Sequence, residues 1–472
     1  MADTKIQNED IAKAINAFSQ NKFDEAESIC LAVLKNNENP DANHIIGCLR
    51  MREKKYDESI EHIKKAIKGQ PKNPGFYASL GCAYSSTRDF PKAIDSFLTV
   101  IEIDPKISQI HFYLGEAYRQ IEEFQKSFKH FNQCLELTPD HLGCQLMAGI
   151  VQEELKHFDQ AKTLYLSAIE AHPDYTAAHI NLGMCYLLTG EYEKGWEEYE
   201  WRLKLPNTNH KHEFLKPKWD GEDLKNKTLL VICEQGFSDT IHFIRFVDQL
   251  SKEGAKIIIM SPNELTPLLE SQKKFDQVIG YQDLLPDYDF YIPMLSIPKV
   301  LEWQPTMDTQ KFPYLQIEDK PLDFISKNKI NIGLRTQTRK ERHDEKPRSI
   351  EIGKFNGIFD KQKHNIISLD YLSDVIDETI DVVPEMKDLR DTASIIQKLD
   401  LIISVDNVVA HIAGALNKRV WLMLSTVPDW RWDLNYTTTT PWYPTAKLFR
   451  QPLPNDWDTV IKEIKNELKN NV

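Results

Sequence analysis

The chain lacks any apolar run approaching the roughly 20 residues that cross a bilayer. Its first residues, Met1-Ala2-Asp3-Thr4-Lys5, are polar and acidic and carry no signal-peptide core. It also lacks a surplus of positive charge. Against 58 Lys and Arg stand 71 Asp and Glu, a formal net charge of −13, which argues against nucleic-acid binding through the whole surface. Neither a P-loop nor a Gly-x-Gly-x-x-Gly stretch is present, which argues against an ATPase or a dehydrogenase. The seven cysteines (30, 48, 82, 134, 144, 185 and 233) include no Cys-x-x-Cys pair. Spread over helical positions, they read as small core residues in a reducing cytoplasm. His210 and His212 have no Cys or acidic partner at zinc-site spacing, and no metal or cofactor is expected. The expectation is a cytoplasmic protein without a transmembrane segment, of roughly three domains by length.

What is present begins with a repeat. Gly47, Gly81, Gly115, Gly149 and Gly183 are spaced by 34, and Pro71, Pro105, Pro139 and Pro173 keep the same step. Twelve residues after each glycine comes a small residue (Ser59, Ala93, Ser127, Ala161, Gly195). Sixteen after it comes a large one (Ile63, Phe97, Phe131, Tyr165, Tyr199). The glycine and the small residue let two helices approach closely, and the proline ends the second. This pattern resembles the tetratricopeptide repeat, a helix–turn–helix unit that stacks into a solenoid. A degenerate first unit fits residues 6–39, giving about six repeats over 1–204. Two residues before each glycine stand Ile45, Ser79, Tyr113, Met147 and Asn181. The asparagine ladder that clamps peptide in the related O-linked N-acetylglucosamine transferase is therefore missing, and the array reads as a surface for a protein partner or acceptor. The aromatics of Gly195 to Arg202 are suited to covering the end of the stack and joining it to the C-terminal half of the chain.

After an aperiodic linker, 205–226, short apolar runs alternate with helical patterns. Strands are expected at 228–233, 256–260, 277–281 and 288–292, then at 330–334, 365–369, 401–404 and 419–424. Alternating βα units predict parallel sheets, and two series predict two Rossmann-like lobes, 227–320 and 321–472, with a cleft between them. The run Leu399–Ile403 passes directly into Ser404 to Leu416, a strand-to-helix turn that aims unpaired amides and a helix N-terminus at one spot. In a parallel sheet that spot is where phosphates sit.

Four blocks carry a second resemblance: Glu234-Gln235-Gly236 with Asp239-Thr240, Ile292 to Pro298, Ser404 to Leu416, and Pro428-Asp429-Trp430-Arg431-Trp432 with Pro441-Trp442-Tyr443-Pro444. Together with the repeats, they look like the tetratricopeptide proteins that carry a heptosyltransferase-like, family 9 glycosyltransferase domain. The resemblance implies a GT-B arrangement and metal-independent transfer of a sugar from a nucleotide donor held by the C-terminal lobe. It gives Asp239 the role of base, against the alternative of a helix N-cap. Ser238 departs from the family's glycine before that aspartate.

Donor binding would fall to Arg335, Lys346 and Arg348, at the ends of a cationic stretch, and to Asp406, Asn407 and His411. Asp406 and Asn407 are equally candidates for capping, and His411 for a structural hydrogen bond. Asn407 and Val408 stand where the family carries hydroxyls. Gln235, His242, Trp430 and Trp442 are candidates for stacking or for the acceptor, with packing the alternative for the tryptophans. Asp287-Tyr288-Asp289 falls at a strand start and reads as a chance match to a metal-binding motif. The competing reading, motivated by Ser238, Asn407 and Val408, is a non-catalytic adaptor with a degenerate transferase-like domain.

Overall fold

The computed structural model describes residues 2–36, 38–206, 212–252, 254–305, 311–338, 348–370, 379–382, 385–432, 434–435 and 438–471. The chain divides into two compact units, Met1–Ala178 and His179–Val472.

The first unit is an array of helical pairs: α1 (Ala2–Ser19) with α2 (Phe23–Asn36), α3 (Pro40–Arg52) with α4 (Tyr56–Gly69), α5 (Pro74–Ser86) with α6 (Phe90–Ile103), α7 (Ser108–Gln120) with α8 (Phe124–Leu137), and α9 (Leu142–Glu154) with α10 (Phe158–Ala171). Two of the starts are capped by an asparagine ahead of a proline. Asn39 accepts from the Ala42 amide ahead of Pro40, and Asn73 accepts from the Gly75 amide ahead of Pro74. Each pair turns through one left-handed residue: Lys54, Arg88, Glu122 and Lys156 have φ between 61° and 63° and are spaced by 34. The two sequence markers meet in space. A methyl group built on Gly81, Gly115 or Gly149 would fall closer than 3.0 Å to the ring 16 residues later, Phe97, Phe131 or Tyr165. Ser127, buried, donates to the Gly115 carbonyl at 2.7 Å, so the small residue pins the same crossing.

One cysteine expectation is corrected here. Cys134 on α8 and Cys144 on α9 are joined in a disulfide, whereas Cys30, Cys48, Cys82, Cys185 and Cys233 are in no disulfide. The two helices face each other across a short loop, and the sequence reading treated each thiol in isolation.

The second unit opens with the sixth hairpin, α11 (Thr176–Leu188, which begins in the first unit) and α12 (Tyr192–Tyr199), followed by a 3-10 turn at Glu200–Lys204. The division thus falls in the first turn of this hairpin's first helix. Two wholly parallel sheets come next. The first has the order β3-β2-β1-β4, from β1 (Thr228–Ile232), β2 (Lys256–Ser261), β3 (Gln277–Gly280) and β4 (Phe290–Pro293). The second has the order β10-β9-β8-β5-β6-β7, from β5 (Ile330–Arg335), β6 (His364–Ser368), β7 (Thr379–Asp381), β8 (Leu401–Val405), β9 (Val420–Leu424) and β10 (Ala446–Arg450). Counted from its own first strand, the second sheet runs 3-2-1-4-5-6, the doubly wound dinucleotide-fold order. The helices are α13 (Phe237–Lys252), α14 (Thr266–Glu270), α15 (Ile297–Val300), α16 (Leu389–Lys398), α17 (Val408–Ala415) and α18 (Trp457–Asn471). β8 and β9 are buried along their whole length, as expected for central parallel strands covered on both faces. α18 lays Trp457, Val460, Ile461, Ile464 and Leu468 into the core of the second sheet. No helix among the described residues is long and apolar enough to cross a membrane.

Candidate functional site

A doubly wound sheet leaves a crevice where its strand order reverses, beyond the carboxyl ends of the strands. The first sheet reverses between β1 and β4 and the second between β5 and β8. The two crevices are furnished differently.

The crevice at β1 and β4 is filled by the chain's own cation. Arg202, from the 3-10 turn after α12, donates to both Glu234 oxygens at 2.7 and 3.2 Å, to Ser296 Oγ at 2.8 Å and to Glu200 at 2.7 Å. The Leu295 amide adds a further bond to Glu234. Burial opposes ionisation of Glu200, but Arg202, Lys218 and Ser296 outweigh it and hold its carboxyl down at about 2. Sequence reading quoted Glu234 within a motif but missed Arg202, whose partners lie 32 and 94 residues away.

Beside this plug, the β1–α13 turn carries Gln235, a non-glycine residue at φ 60°. It is exposed and accepts from the Tyr199 hydroxyl at 3.2 Å. The left-handed position is therefore Gln235, and Ser238 sits in the first turn of α13 without a positive φ. Asp239 is buried. One carboxylate oxygen accepts from the Gly236 amide at 2.9 Å, and the other pairs with the Arg431 guanidinium. The cap alternative is thus present in part, through an amide that precedes the helix. Arg431 also holds Asp429 at 2.7 Å and lies over the Trp430 ring at 4.4 Å.

At the crevice between β5 and β8, Asp406 ends β8 and Asn407 caps α17, accepting from the Val409 amide at 2.9 Å. Arg348 donates to Asp406 at 3.1 Å. Burial raises the Asp406 pKa, but a hydrogen bond from His411 and the Arg348 charge hold it well below the usual carboxylate range. His411 is turned inward, its Nδ1 2.7 Å from the Tyr443 hydroxyl, and that hydroxyl lies 3.2 Å from His242 Nδ1. Arg245 extends this network, donating to the Trp442 carbonyl at 2.7 Å and to Tyr314 at 2.9 Å. Burial, reinforced by Arg245, His411 and Arg431, lowers the His242 pKa well below its ordinary value and keeps the ring neutral.

Four further candidates are buried, and of these the tryptophans pack, the alternative left open for them. The Arg335 guanidinium is buried, donating to the Leu369 carbonyl at 2.6 Å with Asp370 at 3.4 Å. Trp430 and Trp442 are interior rather than open to a base or sugar. Trp442 stacks on Trp303 at 4.4 Å, and Trp430 meets Trp196 and Tyr199 edge-on. His242 is likewise fully enclosed. Lys346 lies outside the described residues. The missed organiser is Asp370, which accepts from the Thr336 and Gln337 amides and the Thr336 hydroxyl and so shapes the loop after β5. It comes directly after the predicted strand 365–369, the one signal that marked it.

Tetratricopeptide-repeat family models match residues 40–73, 74–107, 108–141 and 146–200. The chain therefore carries tetratricopeptide repeats, a class of protein-interaction module, in its N-terminal part, followed by an α/β region built on parallel sheets. It is similar to the solved structure of MamA (22% identity, 34% of this chain and 93% of that one, TM-score 0.33). It is similar also to YrrB, described as a TPR protein with an unusual peptide-binding site (19%, 38% and 96%, TM-score 0.34). A third is TTC0263, a thermophilic TPR protein of Thermus thermophilus (18%, 39% and 100%, TM-score 0.31). No curated protein matches the chain.

Proposed function

We propose that this protein is a GT-B glycosyltransferase that moves a sugar from a nucleoside-diphosphate donor to an acceptor hydroxyl, its repeats engaging a protein partner or acceptor. The observation that carries the reading is the 3-2-1-4-5-6 order of the second sheet, with Arg348, Asp406 and the N-terminus of α17 together at its switch point. In this reading the donor diphosphate lies against the first amides of α17 and Arg348, joined by Lys346. Arg335 acts indirectly, holding the loop through Leu369 and Asp370. Asp239 takes the proton of the acceptor hydroxyl as its oxygen attacks the anomeric carbon. The bond to the diphosphate breaks, and the nucleoside diphosphate leaves with the electron pair. Arg431 has to loosen from Asp239 for this step, and the diphosphate is the anion that would draw it. Its Nε, buried without a hydrogen-bond partner among the described residues, leaves the guanidinium a spare donor. Gln235, exposed at the turn, is the acceptor-side polar group.

A second reading, a non-catalytic adaptor, is favoured by one observation: Asp239 is already neutralised by Arg431. A panel of nucleotide sugars, screened by thermal shift and then for donor hydrolysis and transfer, separates the two. For the enzyme, Asp239→Ala lowers kcat by roughly 10²- to 10⁴-fold with little change in donor affinity. Arg348→Ala weakens donor binding instead. Donor binding without turnover, indifferent to Asp239→Ala, would decide for the adaptor.

A further inference from the structure

We propose that Cys134 and Cys144 are a reversible dithiol–disulfide pair that locks the junction of two consecutive repeats. The two sulfurs belong to the second helix of one repeat (α8) and the first helix of the next (α9). Their Cα atoms are 6.7 Å apart and their separation in sequence is 10 residues, so the bond needs no rearrangement of either helix. Both side chains are fully buried, while the loop between the helices exposes Pro139 and Asp140. Opening that short loop is the route by which a reagent reaches them.

A third group completes the cluster. His141 offers an imidazole nitrogen within 4.8 Å of both sulfurs. Its ring is fixed by the Cys144 amide, which donates to Nδ1 at 3.1 Å, and by stacking on Phe112 at 5.3 Å. Exchange proceeds through the thiolate, which forms when the junction opens to water. The rest of the chain has free thiols, including the half-exposed Cys48 and Cys82 of the same unit. The pair is therefore not one bridge of a disulfide-stapled scaffold, whose cysteines would be paired throughout.

The chemistry requires a small-molecule disulfide as oxidant. One cysteine thiolate attacks it, forming a mixed disulfide and releasing one small thiolate. The second cysteine thiolate then attacks the protein sulfur of that mixed disulfide, forming the Cys134–Cys144 bond and releasing the second small thiolate. Two protein thiols are oxidised and one small disulfide is reduced to two thiols; a small dithiol runs the sequence backwards. The closed loop is short, so its effect is local: it makes opening of the α8–α9 junction rarer rather than crosslinking distant parts of the array.

The test uses the full chain equilibrated in mixtures of reduced and oxidised glutathione, quenched in acid, alkylated after unfolding and read by peptide mass spectrometry. Cys134 and Cys144 are expected to convert together and reversibly. Amide hydrogen exchange across α8 and α9 should be slower in the oxidised protein by up to about 10²-fold, with α3 and α4 unchanged. Two persistent thiols in every mixture overturn the proposal. So does a disulfide that forms without altering exchange. So does stoichiometric zinc uptake by the reduced protein that blocks oxidation, which would make Cys134, His141 and Cys144 a metal site. The wild-type chain suffices for all of these readings.

Discussion

The Arg431 guanidinium closes on the Asp239 carboxylate across 192 residues of sequence, joining the first turn of α13, between β1 and β2 of the first sheet, to the loop beyond β9 of the second. Both side chains are largely withdrawn from solvent, at 9% and 13% exposure. In that setting, losing one partner costs more than the pair itself contributes, because it strands a charge. Arg431→Ala is expected to destabilise the second unit by about 3 kcal/mol, and Asp239→Asn combined with Arg431→Met by clearly less. All nine tryptophans lie at or after residue 196, so urea unfolding followed by tryptophan fluorescence reports this unit. Equal losses in the single and double variants would show that the pair is not coupled.

Arg202 is the second buried cation on which one unit depends. Its side chain is 3% exposed and has Glu200, Glu234 and Ser296 around it. Arg202→Met leaves two acidic groups facing each other and should cost about 3–5 kcal/mol. Adding Glu234→Gln should recover part of that loss. A fluorescence unfolding curve for Arg202→Met that overlays the wild type would contradict the plug.

His130 gives the first unit a pH dependence. Burial, aided by the neighbouring His111 and Lys129, lowers its pKa to about 4, against about 6.5 in the unfolded chain. Above about pH 6.5 both states are neutral and the group contributes no slope. Between about 6.5 and 4 the unfolded chain binds the proton first, so stability falls with falling pH by at most about 1.4 kcal/mol per unit. Helical circular dichroism of urea midpoints from pH 7 to 4 should show this fall, flattened in His130→Asn. The same slope in the variant would assign it elsewhere.

Gly115 and Phe131 test the repeat crossing. The added methyl of Gly115→Ala meets the Phe131 ring, and Phe131 is fully buried. Gly115→Ala should therefore cost about 1–3 kcal/mol and Phe131→Ala about 3–5 kcal/mol. If the overpacking account is right, Gly115→Ala with Phe131→Leu will be more stable than Gly115→Ala alone.

Much of the architecture was legible because it repeats or alternates. The 34-residue period marked glycines and rings that touch, and eight runs of apolar residues coincide with strands to within two residues. The strands that escaped are β7 and β10. Both are sheet edges, where one flank needs no apolar cover, so Thr379-Ile380-Asp381 and Ala446-Lys447-Leu448-Phe449-Arg450 carry no continuous apolar run. The candidate site was legible as blocks, not as bonds. Asp239, Arg348 and Asp406 were visible from their places at strand ends. Arg431, which pairs with Asp239, and Tyr443, which meets His411 and His242, arrive from other segments of the chain, and no local spacing announces such pairings. Arg335 shows the converse: its place at a strand end was visible, but its bond to the Leu369 carbonyl was not.

The hairpin α11–α12 has the sequence of a sixth repeat and the obligations of a different unit. Its 3-10 extension supplies Arg202, and its Trp196 donates to the Trp303 carbonyl. A fragment beginning at residue 205 would discard both and leave Glu234 without its cation, whereas one beginning at 179 keeps them. The preceding repeats form a compact unit of their own. This last one is inherited with the α/β region, as part of its fold.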